Sequence, residues 1–174
     1  MAERRDVAQY RRLWEVNPEQ KELDLALGFM VHQAATLEFF LHQTVRRLVG
    51  GQYATLVTAG MQASGLLDAI KRIMGVGAVS EEAAREMAEM SGKCRIAFRE
   101  RNKYVHSIRV INTQNSEVWT NNRRDGGIDQ HPMHAEKLME LGADFAKLGS
   151  QVTDWYRHHL DGHPRRESRR SPSH

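Results

Sequence analysis

At 174 residues the chain is long enough for one domain with a sizeable core and short for two. Four prolines against a large stock of Ala, Leu, Met, Glu and Arg point to helix, and a single cysteine excludes an intramolecular disulfide and a four-cysteine zinc site. Residues 157–174 hold five Arg against Asp161 and Glu167, a net of +3, so the remaining 20 basic and 20 acidic side chains of residues 1–156 balance, and the body is not a globally basic nucleic-acid binder.

No apolar run approaches the roughly 20 residues of a membrane span, and M-A-E-R-R-D at the start lacks a signal peptide's apolar region. The expectation is a cytoplasmic protein with no membrane partner. Residues 1–16 are charged, and Tyr10, Leu13 and Trp14 make one small apolar edge. They predict a short helix from about Asp6 to Trp14, docked on the body through Trp14, with the Arg4–Arg5 and Arg11–Arg12 pairs on a solvated face.

Asn17-Pro18-Glu19-Gln20 is a helix start, with an N-cap, a first-turn proline and a Gln placed to close a capping box. Leu23, Leu27, Met30, Ala34, Leu37, Leu41, Thr44 and Leu48 then step by threes and fours, and Gly50-Gly51 ends the run. Phe29, Phe39 and Phe40 widen its apolar surface beyond a single seam. Glu38 lies one position off the stripe. It either faces water as a boundary carboxylate or turns inward to pair with Arg101 or orient His106.

Gln52 to about Met74 reads as a second helix, broken by Gly75-Val76-Gly77. Ser80 caps a third, with Glu81 and Glu82 in its first turn. Its stripe runs Ala83, Met87, Met90, Cys94, Ala97, Arg101, Val105, so an always-charged guanidinium occupies a seam position. Alternation around Ile108–Ile111 and Val118–Trp119 predicts a short β-hairpin or ordered loop. Residues 121–127 form a polar turn, and a fourth long helix runs from near Pro132 to about Leu160. The domain is read as residues 1–160, and the Arg- and Ser-rich residues 161–174 as a disordered basic tail.

Cys94 to Ser107, C-R-I-A-F-R-E-R-N-K-Y-V-H-S, stands out, because its inward positions change from apolar to Arg101, Asn102 and His106 as the helix ends. Arg169 and His174 repeat the Arg-to-His spacing in the tail, so helix context rather than spacing singles out Arg101. Arg followed directly by Asn and then by His at the end of a long helix resembles the HEPN family, the higher-eukaryote and prokaryote nucleotide-binding domain, over roughly residues 20–160. The resemblance implies an all-α, HEPN-like bundle of about four long helices, here with a short N-terminal helix and a small insertion before the last one. It further implies a metal-independent endoribonuclease that needs no cofactor and leaves 2′,3′-cyclic phosphate and 5′-hydroxyl ends. Its site would form at a homodimer cleft, where two such helix ends face each other.

In that chemistry a histidine acts as base or acid, an arginine grips phosphate oxygens bidentately, and Asn102 steadies the phosphate or the ring. The catalytic candidates are therefore Arg101, His106 and Asn102, with Glu38 as an orienting acid. Candidate RNA contacts are Lys103, Tyr104, Arg165, Arg166, Arg169 and Arg170. A toxin or antiviral defence effector fits, with an antitoxin or regulatory partner. In the toxin branch paired with a nucleotidyltransferase antitoxin a Tyr lies two residues after the His. Ile108 stands there in this chain, so tyrosine modification of that kind is not expected at this site. The competing readings are a non-catalytic HEPN-fold module that binds nucleotide or RNA or dimerises, and a helical adaptor.

No metal is expected. His131 and His134 span a helix start, and His158, His159 and His163 cluster at the last helix end, but neither group has the acidic or Cys partners of a zinc site. Gly75-Val76-Gly77 lacks the Lys-Ser/Thr of a phosphate loop, and Ser107 beside His106 does not make a triad by adjacency.

Overall fold

The computed structural model describes Arg12, Glu15 and residues 17–111, 116–121 and 127–161. The expected docking of Trp14, most of the expected Asp6–Trp14 helix, and the tail from residue 162 with its four candidate arginines lie outside the described residues.

The fold is predominantly helical, as expected. Helix α1 (Pro18–Val49) starts where Asn17 Oδ1 accepts the Gln20 amide at 3.0 Å and stops where Gly50 takes φ 65°. Its buried side is Leu23, Ala26, Met30, Ala34, Leu37, Leu41, Thr44 and Val45, close to the predicted stripe, with Leu27 and Leu48 packed at its edges. Thr44 is tolerated inside because its hydroxyl donates to the Phe40 carbonyl at 2.9 Å.

The predicted second helix is two. Helix α2 (Ala54–Thr58) ends before Gly60, whose φ of +73° lies in the left-handed region and breaks the helix. Helix α3 (Ala63–Gly75) then resumes and buries Leu66, Leu67 and Ile70. Helix α4 (Glu81–Val105) is capped by Ser80, whose Oγ accepts the Ala83 amide at 3.3 Å, and it buries Ala83, Met87, Ser91, Cys94, Ala97 and Tyr104.

After α4 the chain forms an antiparallel sheet in the order β1 (Ile108–Ile111), β2 (Ser116–Asn121), β3 (Ile128–Pro132), with Ile108 opposite Trp119 and Val118 opposite His131. The expected hairpin is its first two strands. The third replaces the expected helix start at Pro132, because the free edge of β2 offers residues 128–132 a ladder of backbone hydrogen bonds that no local pattern announces. Helix α5 (Ala135–Tyr156) follows and runs into a π-helical turn, Arg157–Asp161. Asp161 belongs to the folded body rather than to the tail, since its carboxylate pairs with Arg47 at 3.1 Å.

Side-chain contacts set the helix directions. The Trp155 indole N–H donates to the Ala83 carbonyl at 3.0 Å, the Phe98 and Phe145 rings lie 5.1 Å apart, and Lys137 meets Glu100, so α4 and α5 are antiparallel. Helices α1 and α5 are parallel. Gly142 sits against Phe29 and Met30, Gly149 against Phe40, and the Arg47 guanidinium lies 5.3 Å from the Tyr156 ring centre. Met30, Leu37, Leu41, Leu66, Met87, Leu138 and Phe145 fill the core between these helices. Among the described residues no helix is long and apolar enough to cross a membrane.

The two α5 glycines face α1 differently, and opposite outcomes follow. A Cβ on Gly142 would lie 2.5 Å from Cδ1 and Cε1 of Phe29 and 3.3 Å from the Met30 Cα. Gly142→Ala is therefore expected to destabilise by about 1–3 kcal/mol. At Gly149 the nearest atom is Cδ2 of Phe40 at 3.6 Å, an ordinary contact. Gly149→Ala should then gain helix propensity and stabilise by ~0.5–1 kcal/mol. Urea melts of the two variants check both signs.

Candidate active site

The C-terminal end of α4 gathers Arg101, Asn102 and His106. Arg101 is half-buried, because the inward face turns from Ala97 to Tyr104 and leaves residue 101 at its margin. Its Nη1 donates to Asn102 Oδ1 at 3.1 Å, while its Nε is shielded from solvent and has no hydrogen-bond partner. A shielded N–H without an acceptor is costly to leave so. His106 is the C-cap. Its amide donates to the Asn102 carbonyl at 3.3 Å and its imidazole is exposed. His106 lies five positions after Arg101, about 7.5 Å along the helix axis. Asn102 is exposed between them and bound to both, through its side chain to Arg101 and through its carbonyl to the His106 backbone.

The other expected site residues sit elsewhere. Tyr104 is 5% exposed, so its ring packs in the core and offers no face on which a base could stack. Lys103 is tied to Glu100 at 2.6 Å. Glu38 does not meet Arg101, and among the described residues neither joins an ion pair. The reason is height in the bundle. Phe40, two residues from Glu38, packs on Gly149 in the second half of α5, whereas Glu100 packs beside Lys137 at the start of α5. Glu38 is thus a boundary carboxylate of α1, and the orienting role expected for it is not supported.

Sequence reasoning missed the cluster that braces this helix end. Glu100 bridges Lys103 and Lys137, the latter at 3.6 Å. Burial raises the Glu100 carboxyl, but hydrogen bonds and charge from Lys103 and Lys137 outweigh it and hold the group below its ordinary 4.5. The Lys137 ammonium is raised, first by Tyr104 and then by Glu100. The Glu100–Lys103 spacing was readable in the sequence, but the Lys137 partner was not. Because the folded value of Glu100 is lowered, its contribution is fully present above 4.5 and is lost as pH falls through the folded value. Thermal melts of the parent and Glu100→Gln should therefore differ at pH ~7 and converge as the pH drops below 4.5.

Of the C-terminal histidines, His159 finds a carboxylate, supplied across the fold. His159 Nε2 lies 3.0 Å from Glu86 Oε2, and the ring packs on Trp155. Among the described residues no group of three or more His, Cys, Asp or Glu side chains is placed to hold a metal ion. Compared with protein-family models, curated proteins and solved structures, the chain matches none, so the residues of the helix end bear the functional reading by themselves.

Proposed function

We propose that this chain is a HEPN-like, metal-independent endoribonuclease whose site is the Arg101–Asn102–His106 end of α4. The observation that carries the reading is the half-buried Arg101 guanidinium, which donates to Asn102 in the last turn of a helix whose C-cap is the exposed His106. Arg101 holds the non-bridging oxygens of the scissile phosphate. A histidine takes the proton of the 2′-hydroxyl as its oxygen attacks phosphorus, and a proton returns to the departing 5′-oxygen. The products are a 2′,3′-cyclic phosphate and a 5′-hydroxyl. A single imidazole cannot easily serve both ends of that displacement, so a second copy brings its own residues 101–106 to the cleft. The biological role that suits such chemistry is that of a toxin or antiviral effector, held in check by an antitoxin or regulatory partner.

The remoteness of Glu38 favours one second reading, a non-catalytic RNA-binding module that grips phosphate through Arg101 without an acid to orient His106. Incubating the pure protein with a labelled RNA in the presence of a chelator decides between them. Fragments ending in 2′,3′-cyclic phosphate support the enzyme, and retained but uncut RNA supports the binding module. In either case the basic residues 165–170 add electrostatic affinity, and deleting residues 162–174 flattens the salt dependence of binding.

A further inference from the structure

We propose that the cavity between α3 and α4 binds a medium-chain fatty acid, with its carboxylate on Lys71 and Ser91 and its alkyl chain over Ile70, Met74 and Met87. The cavity measures about 490 Å³, within the range of small-molecule sites. Ile70 and Met87, each 1% exposed, line its inner side, and Met74 lies beside them. Methionine adapts its shape to an apolar ligand. What keeps the space open is the lack of side chains around it. Gly75 and Gly92 both line it, and a Cβ on either would meet nothing within 4 Å. Gly92 stands in the middle of α4, a place where glycine is disfavoured.

One side chain in this cavity lacks the partner that its burial calls for. Ser91 is 9% exposed and forms part of the wall. A buried helical hydroxyl ordinarily donates to the carbonyl one turn back, as those of Thr44 and Thr58 do. Among the described residues the Ser91 hydroxyl has no partner, and it opens into the cavity rather than being sealed off. It is free to bind a ligand oxygen. Charge identifies the ligand. Arg95 pairs with Asp68 at 2.7 Å across the two helices, so those charges offset each other. Gly75 and Ala84 line the same cavity near the turn that joins the helices, so α3 and α4 are antiparallel. Lys71, one turn on from Asp68, and Ser91, one turn back from Arg95, therefore share the polar end. Among the described residues Lys71 joins no ion pair, which leaves one uncompensated positive charge there. Such an end suits a monoanion, because an ammonium and a hydroxyl match the two oxygens of a carboxylate. A dianionic phosphate would meet the same single free cation with Asp68 nearby. From Ser91 to Ala84 the wall runs seven residues, about 10.5 Å, past Met87 and Ala88. No charged side chain interrupts that stretch of the lining, and a groove that long between two helices takes a linear alkyl chain. The site shares no residue with the 101–106 helix end and stands whether or not that end cleaves RNA.

Isothermal calorimetry of the full chain with octanoate, kept below its micelle concentration, tests the site. One molecule should bind per chain with a Kd of about 1 mM or tighter. Octanol, which has the same alkyl chain and no charge, should bind at least ~10-fold more weakly. Lys71→Gln, on an exposed position, should weaken octanoate about 10-fold and leave octanol unchanged. Gly92→Leu should lose both ligands, because its side chain enters the cavity. It should keep the parent's circular dichroism, since a Cβ there meets nothing within 4 Å and glycine gives way to a better helix former. The absence of octanoate binding at about 5 mM overturns the proposal. So does octanoate binding that survives both Lys71→Gln and Gly92→Leu, which would place the ligand elsewhere on the chain. Octanol bound as tightly as octanoate overturns it too, because the charge of Lys71 would then select nothing.

Discussion

On the proposed reading, His106→Ala is expected to remove RNA cleavage and to leave the melting temperature within a degree or two of the parent's. General acid–base catalysis by a positioned histidine is worth about 10²–10⁴-fold, so the residual rate falls to the background of a sensitive assay. Stability is spared because the imidazole is exposed and only the His106 backbone holds the helix end, through the Asn102 carbonyl, a bond any residue makes. Arg101→Ala is expected to lose cleavage too and to weaken RNA binding more than the histidine change does, since it removes the charge proposed to meet phosphate. Its stability cost is small as well. Had Arg101 been paired with a buried Glu38, removing it would have stranded a carboxylate at a cost of roughly 3–5 kcal/mol. The bundle instead keeps the two apart, and among the described residues the side-chain partner of the guanidinium is the neighbouring Asn102. Cleavage assays and thermal melts of the two variants give the result. Normal cleavage by folded His106→Ala protein would end the ribonuclease reading.

Trp155→Ala has the largest stability effect expected here. The indole is 4% exposed at the end of α5, and its N–H reaches back across the fold to the Ala83 carbonyl at the start of α4. Truncation empties a large core volume and leaves that carbonyl unpaired, a loss of about 3–5 kcal/mol for the volume alone. For a chain of this length each kcal/mol shifts the melting temperature by roughly 2–4 °C, so the fall should reach about 10 °C. Trp155→Phe separates the contributions, because it keeps most of the volume and loses the hydrogen bond at about 1–3 kcal/mol. Calorimetry of both variants checks the order, and equal melting temperatures for the two would show that the hydrogen bond, not the packing, is what the indole supplies.

Much of this molecule is written locally. The three-and-four spacing of Leu23 through Leu41, the Asn17 and Ser80 caps and the glycines after Val49 and Gly75 specify where the long helices run, because periodicity, caps and backbone freedom act within a few residues. The same local logic exposed Arg101 as out of place in an apolar seam, which is how the candidate site was found. It also marked Asn102 and His106 at the helix end. A Gly60 break was equally local, but it was hidden by the apolar residues on both sides.

What the tertiary structure alone decided is who meets whom. Glu38 and Arg101 are plausible partners on paper, and the antiparallel course of α4 and α5 sets them at different heights along the bundle. Lys137 reaches Glu100, and Glu86 reaches His159, only because those helices lie side by side in that direction. Tyr104 takes the buried place that the stripe assigned to Arg101 and Val105, since the inward face drifts as the helix meets α5. Residues 128–132 became a strand because β2 had a free edge, a partner no window of neighbouring residues contains. Propensity is a property of a segment and is legible in it. A contact between segments depends on their relative direction and height, which the packing of the whole core determines.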